Sequence, residues 1–394
     1  MSTNDSKSRP DVIARHLVDV PRSGIRDFFE IVNSMQDVIS LGIGEPDFDT
    51  PWHIREATIF AIERGATSYT SNLGLLKLRR AIADYVERTF ALRYDAEQEI
   101  LITVGVSEAL DLAIRALCNP GDEIMYHEPC YVSYAPLIQF AHGIPVSVPT
   151  SSDHEFRVTR KALESRVTPK TKALLLNYPN NPTGAALTTK DAQDIADFVQ
   201  ENDLILITDE IYAELTYDRA HVSPASLPGM RERTIFLHGF SKAWAMTGFR
   251  AGYACAPPEL TDAMMKIHQY TMLCAPSPSQ EAALEALTDP EQDIADMKAS
   301  YLKRRNFLLN SFREMGLSCF EPHGAFYAFP SIRDTGLSAQ EFAMGLLDQE
   351  KVACVPGTAF GPSGEGFVRC SYATALDELK EAVQRMAAFL NRLK

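Results

Sequence analysis

The sequence lacks the features that would place the protein in a membrane, on a nucleic acid or outside the cell. No apolar run reaches the roughly 18 residues that a transmembrane helix needs, and the N-terminus has neither the basic start nor the apolar stretch of a signal peptide. The net charge is -14 and no basic stretch is dense, which argues against a nucleic-acid partner. The seven cysteines are scattered without a CxxC pair, so we expect free thiols in a cytoplasmic protein, with neither disulfides nor a metal site.

Two phosphate-binding motifs of nucleotide enzymes are missing as well. No glycine-rich turn ends in the Gly-Lys-Ser/Thr of a Walker A loop. Gly42 and Gly44 form a GxG pair, but Glu45-Pro46-Asp47 follows, so Asp47 stands where a GxGxxG dinucleotide-binding fingerprint has its third glycine. What the sequence does contain is 394 residues, 45% of them hydrophobic, which is enough for a large core and two domains.

Short apolar strands alternate with amphipathic helices over the first two thirds of the chain. The predicted strands are Ile100–Val104, Glu123–His127, Ile144–Val148, Lys172–Asn177, Leu204–Thr208, Thr234–His238 and Gly252–Ala256. The predicted helices are His53–Arg64, Leu75–Phe90, Glu108–Cys118 and Lys190–Asn202. This order predicts an α/β fold with a mostly parallel, covered sheet of seven strands. Ligands of such sheets bind at the carboxyl ends of the strands.

The chain changes character after Leu287. A long helix over Pro290–Met315, several short strands and a closing helix over Ala375–Leu393 indicate a smaller α+β domain. The segment Leu41–Phe48 is typical of a linker, so we expect residues 24–48 to join that domain. The sequence therefore predicts a disordered tail over 1–23, a small domain formed by 24–48 and 288–394, and a large ligand-binding domain over 49–287.

The stretch Gly239–Arg250 carries the strongest chemical signal. Lys242 follows Ser241 directly after an apolar run, and Arg250 opens the next apolar strand. Apolar neighbours such as Trp244 would desolvate the lysine, and desolvation makes its amine a nucleophile. An amine beside a hydroxyl and a fixed cation suits pyridoxal 5′-phosphate (PLP), an aldehyde that carries a phosphate. A surface Ser-Lys pair is the alternative when this stretch is taken alone.

Two further strand ends place polar residues where such a ligand would bind. Asp209 follows the strand predicted to end at Thr208, and its carboxylate could keep a pyridine nitrogen protonated, cap the next helix or bind a metal. Tyr212, one turn later, could donate to the ring oxygen O3′. Asn181 lies in the turn Asn177–Gly184 and offers an amide to O3′ and to a substrate carboxylate, with an ordinary turn as the alternative.

A glycine turn and an arginine within a strand complete the candidate residues. The turn at Gly105 precedes a helix, and the backbone N–H groups of Val106 and Ser107 together with the helix dipole favour an anion. Ser107 is also a natural N-cap. Arg369 lies in the apolar strand Phe367–Tyr372, where a guanidinium is costly unless it is paired. A ligand carboxylate or a structural ion pair would satisfy it.

In chain order, these segments resemble the class I/II aminotransferases of PLP fold type I. The resemblance runs from about Gly24 to the C-terminus. It rests on Leu41–Phe48, Asn181–Gly184, Asp209–Tyr212, Ser241–Lys242, Met246–Arg250, Gly324–Tyr327, Pro356–Gly361 and Val368–Arg369. It implies that Lys242 binds the PLP aldehyde and later moves a proton between substrate and cofactor. It also implies that Asp209 pairs with the pyridine nitrogen, and Tyr212 and Asn181 with O3′.

The same resemblance implies roles for the remaining residues. Tyr131 would stack on the cofactor ring, and Arg369 with the backbone of Gly44 would bind the substrate α-carboxylate. The residues expected at the phosphate are Val106, Ser107, Ser241, Arg250 and the partner subunit's Tyr69. A homodimer with active sites at the interface is therefore expected. Many relatives carry serine or threonine at the position of Gly239, so one phosphate hydrogen bond fewer is expected here.

The reaction implied by the resemblance is a ping-pong transamination. An L-amino acid leaves as a 2-oxo acid, and a second 2-oxo acid, 2-oxoglutarate, then takes the amino group. The segment Ser23–Phe29 resembles aromatic and broad-range enzymes, so Phe, Tyr or Trp is the expected donor, with Ile25 near its side chain. An aspartate- or alanine-type aminotransferase and a PLP-dependent β-lyase share these motifs and are the alternatives. A PLP-sensing regulator is the non-catalytic alternative, which the acidic charge disfavours.

Overall fold

The helices and strands follow the alternation that the sequence predicts. The computed structural model describes residues 13–18, 20, 32 and 35–393. The helices are α1 Arg15–Val18, α2 Trp52–Glu63, α3 Leu76–Phe90, α4 Gly105–Leu117, α5 Tyr134–Phe140, α6 Arg160–Glu164, α7 Thr189–Glu201, α8 Pro258–Thr271, α9 Ser277–Ala286, α10 Pro290–Met315, α11 Ala339–Glu350 and α12 Leu376–Leu393. The strands are β1 Ile39–Ser40, β2 Ile100–Val104, β3 Glu123–Glu128, β4 Ile144–Pro149, β5 Thr171–Asn177, β6 Ile205–Asp209, β7 Thr234–Gly239, β8 Ala251–Cys255, β9 Tyr327–Ala328, β10 Val352–Ala353, β11 Val355–Pro356 and β12 Val368–Ser371.

Strands β2 to β8 form one seven-stranded sheet in the order β2-β8-β7-β6-β5-β3-β4. All pairs from β7 to β4 are parallel, whereas β8 runs antiparallel to both of its neighbours, β2 and β7. The central strands read as continuous apolar runs because helices cover both faces of the sheet. The predicted α/β fold with a mostly parallel seven-stranded sheet is confirmed.

Alternate residues of each strand pack against helices on opposite faces of the sheet. On β5, Leu174 contributes to a core with α7, and Leu175 to a core with α4 and α8. The register aligns the carboxyl ends of the parallel strands, because Asn177 pairs with Asp209 and Asp209 with Leu237. Side chains that end these strands therefore meet at one edge of the sheet.

The C-terminal part of the chain forms two small sheets and their helices. Strands β11, β12 and β9 pair antiparallel in that order, and β1 pairs with β10 in parallel. Helices α10, α11 and α12 share one core with strands β1, β9, β10 and β12. Tyr212 and Leu215 belong to the same core, which therefore reaches the carboxyl edge of the large sheet. Pairing of β1 with β10 supports the assignment of that segment to a small domain, and the domain boundaries stay a prediction.

Two local details differ from what the sequence leads us to expect. Helix α4 begins at Gly105 after Val104, so Ser107 is its third residue and not its N-cap. Within the predicted tail 1–23, residues 15–18 form α1, and the ring of His16 lies 4.6 Å from that of His142. Nothing in the described ranges forms a helix long and apolar enough to cross a bilayer.

Candidate active site

One cavity of about 390 Å³ lies at the carboxyl edge of the large sheet, between that edge and β12. Its walls come from the segments that follow β1, β2, β3, β5, β6 and β7, and from strands β9 and β12. Eleven of the thirteen predicted site residues line it: Gly44, Val106, Ser107, Tyr131, Asn181, Asp209, Tyr212, Ser241, Lys242, Arg250 and Arg369. The structure thus brings together residues that are up to 325 positions apart in the sequence, from Gly44 to Arg369.

The other two predicted residues do not line this cavity. Tyr69 is 82% exposed and contributes nothing to the wall of its own chain's cavity. Ile25 lies outside the described residues, so its expected place near a substrate side chain stays a prediction.

Six lining residues were not predicted: Glu45, Leu110, Asn177, Ile211, Thr247 and Tyr327. Glu45 and Ile211 are chain neighbours of predicted residues, and Leu110 and Thr247 lie three residues from predicted ones. Their proximity in the sequence could have indicated these four. Asn177 and Tyr327 had a weaker signal, since each only stands at the end of a motif.

Lys242 has its amine inside the cavity. Its Nζ donates a hydrogen bond to the Gly44 carbonyl at 2.7 Å and lies 5.8 Å from the ring centroids of Tyr212 and Phe326. Burial lowers the pKa of Lys242 to about 8, against the opposing effect of Glu45. A useful fraction of the amine is therefore unprotonated near neutral pH.

The rings around this amine are not those expected from the sequence. Tyr212 and Phe326 lie over Nζ, whereas Trp244, Phe240 and Ala243 pack in the core that contains α3 and α9. The expectation of a lysine with a desolvated amine holds, and the aromatic rings over that amine come from other segments of the chain.

Asp209 ends β6 with a buried carboxylate. Tyr134 Oη donates to its Oδ2 at 2.9 Å, and the Ile211 backbone N–H donates to its Oδ1 at 3.3 Å. Burial raises the pKa of Asp209 to about 6. The helical turn that follows is preceded by Tyr212, so Asp209 does not act as its N-cap. A carboxylate held in this way suits a cationic partner in the cavity.

Arg369 is buried and hydrogen-bonded to neutral oxygens. Its Nη1 donates to Asn181 Oδ1 at 2.8 Å and its Nη2 to the Gly42 carbonyl at 2.5 Å, while its Nε has no partner among the described residues. Within the described ranges no carboxylate lies within 4 Å of this guanidinium, so a structural ion pair is not found there. Asn181 is held in turn by its backbone N–H, which donates to Asn177 Oδ1 at 3.0 Å.

Arg250 and the start of α4 line the cavity together and suit an anion. Gly105 has φ +72°, which favours glycine, and a Cβ there would lie 2.6 Å from Arg250 Nη2 and push the end of that side chain away from the start of α4. Ser241 and Ser107 line the same cavity. At Gly239 a Cβ would lie 2.8 Å from the Cα of Gly252, so a serine or threonine there would require strands β7 and β8 to move apart.

The donor set matches the three charged parts of PLP with an amino acid. The start of α4, Ser107, Ser241 and Arg250 suit a phosphate. Asp209 suits a protonated pyridine nitrogen, and the Arg369 Nε, which has no partner among the described residues, suits a carboxylate. In the described residues, no cluster of three or more His, Cys, Asp or Glu side chains could hold a metal ion.

A mostly parallel sheet with a lysine, an aspartate and an arginine meeting at its carboxyl edge defines a PLP-dependent enzyme of fold type I. The chain belongs to the aminotransferase class I and II family, whose model matches residues 36–386. It is 52% identical over 380 residues to the putative aminotransferase YugH of Bacillus subtilis strain 168, covering 96% of this chain and 98% of that one.

Two other relatives carry different substrate names. The aspartate aminotransferase of Pyrococcus abyssi is 46% identical over 375 residues, covering 94% of this chain and 96% of its own. The crystal structure of an aromatic aminotransferase from Pyrococcus horikoshii OT3 superposes with a TM-score of 0.89 at 46% identity, covering 93% of this chain and 99% of that one. The predicted aminotransferase family is confirmed, and relatives of equal identity are named for different amino acids.

Proposed function

We propose that this cavity holds PLP and that the protein, in the cytoplasm, transfers the amino group of an aromatic L-amino acid to 2-oxoglutarate by a ping-pong mechanism. One observation carries the proposal: Lys242, Asp209 and Arg369 line a single cavity, with the lysine pKa lowered and the arginine Nε unpartnered. These are an amine nucleophile, a partner for a pyridine nitrogen and a carboxylate receptor.

The phosphate end and the ring would be held by different residues. Arg250, Ser107, Ser241 and the N-terminus of α4 would bind the phosphate. Asp209 would keep the pyridine nitrogen protonated, Tyr212 and Asn181 would bind O3′, and Tyr131 would cover the ring. Bound PLP supplies an electron sink that stabilises negative charge at the substrate Cα.

Lys242 would move the proton on which the reaction depends. Because burial lowers the pKa of Lys242 to about 8, its Nζ can accept a proton from the substrate Cα and return it to the cofactor side. Arg369 would bind the α-carboxylate with two parallel hydrogen bonds, and its contact with Asn181 Oδ1 fixes the plane of its guanidinium. That plane sets which bond at Cα faces Lys242.

The charges of the cavity favour an aromatic donor. Its cationic lining residues in the described part of the chain are Lys242, Arg250 and Arg369, and the roles above occupy all three. Among the described lining residues this leaves no further cation for the side-chain carboxylate of an aspartate, and Ile211 adds apolar surface. 2-Oxoglutarate would then be received through hydroxyl and amide donors, which suits a pocket that takes a ring and a carboxylate in turn.

We propose a homodimer from the surface around Tyr69. Tyr69 is 82% and Tyr270 88% exposed, with Met272 and Leu273 beside it at 50% and 39%. Asn72 Nδ2 donates to the Leu273 carbonyl at 2.7 Å and ties the two segments together. Apolar side chains so exposed suit an interface with a second copy, which would bring the partner subunit's Tyr69 to the phosphate.

The test is a half-reaction followed by the absorbance of bound PLP. Purified protein is mixed with single amino acids and no oxo acid, with a Lys242→Ala variant as the control that must not react. We expect Phe, Tyr and Glu to bleach the yellow colour and 2-oxoglutarate to restore it. Reaction with Asp or Ala alone would refute the aromatic donor. Release of ammonia and pyruvate from a cysteine conjugate without bleaching would indicate a β-lyase. A protein that stays colourless with added PLP would refute the proposal.

The assembly is tested separately. Light scattering of the full chain should give twice the monomer mass of 43.7 kDa, and Tyr69→Phe should weaken PLP retention without changing that mass. A monomer that retains PLP and activity would refute the shared site.

A further inference from the structure

Tyr327 is a buried phenol at the centre of the proposed site. It lies on β9, and β9 pairs with β12 so that Tyr327 stands opposite Ser371. Since side chains two residues apart on a strand share a face, Tyr327 lies on the same face of this small sheet as Arg369. The register between two short strands therefore places its ring beside the carboxylate-binding arginine.

Tyr327 contacts three residues to which the proposed function gives roles. Its Oη lies 2.9 Å from Tyr212 Oη, and its ring centroid lies 4.5 Å from the Cζ of Arg369. A Cβ on Gly44 would lie 2.8 Å from the Tyr327 Oη, so glycine at 44 makes room for the hydroxyl. Among the described residues, Tyr212 is the one hydrogen-bond partner of the Tyr327 hydroxyl.

The two phenols have two protons to share between them. Burial raises the pKa of both Tyr212 and Tyr327, so both are neutral near pH 7 and each donates one hydrogen bond. Either oxygen can be the donor in the 2.9 Å contact as it stands. If the proton of Tyr212 is to reach O3′ of PLP, the contact between the phenols needs the proton of Tyr327.

We propose, resting on the function proposed above, that Tyr327 is a positioning residue with two effects. Its hydroxyl donates to Tyr212 Oη and thereby directs the Tyr212 proton to O3′ of the cofactor. Its ring face supports the Arg369 guanidinium that binds the substrate carboxylate. A chain of two hydrogen bonds also makes Tyr212 a stronger donor, because each bond polarises the next.

The first test is a pH titration of the visible absorbance of bound PLP in Tyr327→Phe. This variant keeps the ring over Arg369 and removes the proton. With a weaker donor at O3′, the protonated form of the bound chromophore should persist to higher pH, raising its apparent pKa by roughly 0.3 to 1 pH unit. The matched control is Tyr217→Phe. Tyr217 is a buried tyrosine whose Oη donates to the Ala325 carbonyl at 2.6 Å, and it does not line the cavity.

A second variant separates the two effects. Tyr327→Leu removes the ring as well, so the Kd of an unreactive monocarboxylate, read from the same spectrum, should rise several-fold above that of Tyr327→Phe. Tyr327→Phe titrating like the wild type, or Tyr217→Phe shifting as much, would overturn the hydrogen-bond role. Equal Kd values for the Leu and Phe variants would overturn the role of the ring. A wild-type protein without any PLP spectrum would refute the proposed function itself, and this inference with it.

Discussion

Replacing Lys242 by methionine should stabilise the protein when no cofactor is bound. Burial lowers the pKa of Lys242 from its ordinary 10.5 to about 8, so at pH 7 the folded protein holds a charged amine in a place that disfavours the charge. Methionine has a similar length and carries no charge. The substitution removes the residue proposed to react, and the same substitution should make the unliganded fold more stable.

The magnitude follows from the two pKa values. A difference of about 2.5 pH units at about 1.4 kcal/mol per unit gives a cost of about 3 kcal/mol at pH 7, as an upper bound. Losing the hydrogen bond from Nζ to the Gly44 carbonyl offsets about 1 kcal/mol. We therefore expect Lys242→Met to raise the free energy of unfolding by about 1 to 2 kcal/mol at pH 7.

The sign of the pH dependence is specific to a base whose folded-state pKa is lowered. Below pH 8 both folded and unfolded chains carry the proton and the cost is complete. Between pH 8 and 10.5 the unfolded chain binds more protons, so the wild type gains stability as the pH rises and the advantage of the variant shrinks. Between pH 7 and 9.5 the difference should fall by about 2 kcal/mol at most.

Urea unfolding of PLP-free wild type and Lys242→Met at pH 7 and pH 9.5 measures this difference. The control is Lys266→Met, because the side chain of Lys266 is 65% exposed and makes only a surface pair with Asp262. It should change stability by less than about 0.5 kcal/mol at both pH values. A Lys242→Met protein no more stable than wild type at pH 7, or an advantage that does not shrink with pH, would refute a buried, desolvated lysine.

Three further substitutions test other parts of the cavity. Gly105→Ala should cost about 1 to 2 kcal/mol by urea unfolding, because of its positive φ, and should weaken PLP binding at least tenfold, because the new methyl group displaces the end of the Arg250 side chain. Gly65→Ala, also at positive φ but with open space around it, should cost a similar amount and leave PLP binding unchanged. An equal loss of PLP binding in both variants would disprove the close approach of Arg250 to Gly105. Asp209→Asn should lower kcat about 100-fold in steady-state assays, yet stabilise the PLP-free protein at pH 7. Burial raises the pKa of this acid from 3.8 to about 6, so the cost of its charge grows as the pH rises from 3.8 to 6 and is complete above pH 6. A destabilised variant at pH 7 would contradict this. Arg369→Lys should raise the KM of the amino donor roughly 10- to 100-fold with a smaller change in kcat, because an ammonium cannot form the paired hydrogen bonds of a guanidinium. An unchanged KM would exclude Arg369 as the group that binds the substrate carboxylate.

The large sheet and most of the cavity could be predicted because their signals are local. Continuous apolar runs such as Ile100–Val104 have few alternatives to a buried strand, and polar residues after such runs must lie at one edge of a parallel sheet. Lys242, Asp209 and Asn181 were found in this way. Because each of these residues lies at or shortly after the end of a parallel strand, its position in the sequence already places it at one edge of the sheet.

What the sequence does not reveal depends on contacts between distant elements. Tyr327 reaches Arg369 only through the register of two strands of two and four residues, too short to show a periodicity. Tyr134 donates to Asp209 from a helix 75 positions away, and no local pattern marks it. Ser107 was expected to cap α4, but the helix begins at Gly105, three residues earlier than the predicted start at Glu108.

The reversed direction of β8 determines how the two residues proposed to hold the cofactor, Lys242 and Arg250, are connected in the chain. Parallel strands need a crossover of a dozen or more residues, which usually includes a helix, and each new strand then restarts at the far side of the sheet. Because β8 runs back along β7, the connection of residues 240–250 begins and ends at the same edge. Lys242 stands near its start and Arg250 at its end, so the proposed covalent anchor and the proposed phosphate anchor share one hairpin loop. A graft or an insertion in this loop would shift both anchors together, which makes it a natural unit for transfer between related scaffolds and a poor place to vary either anchor alone.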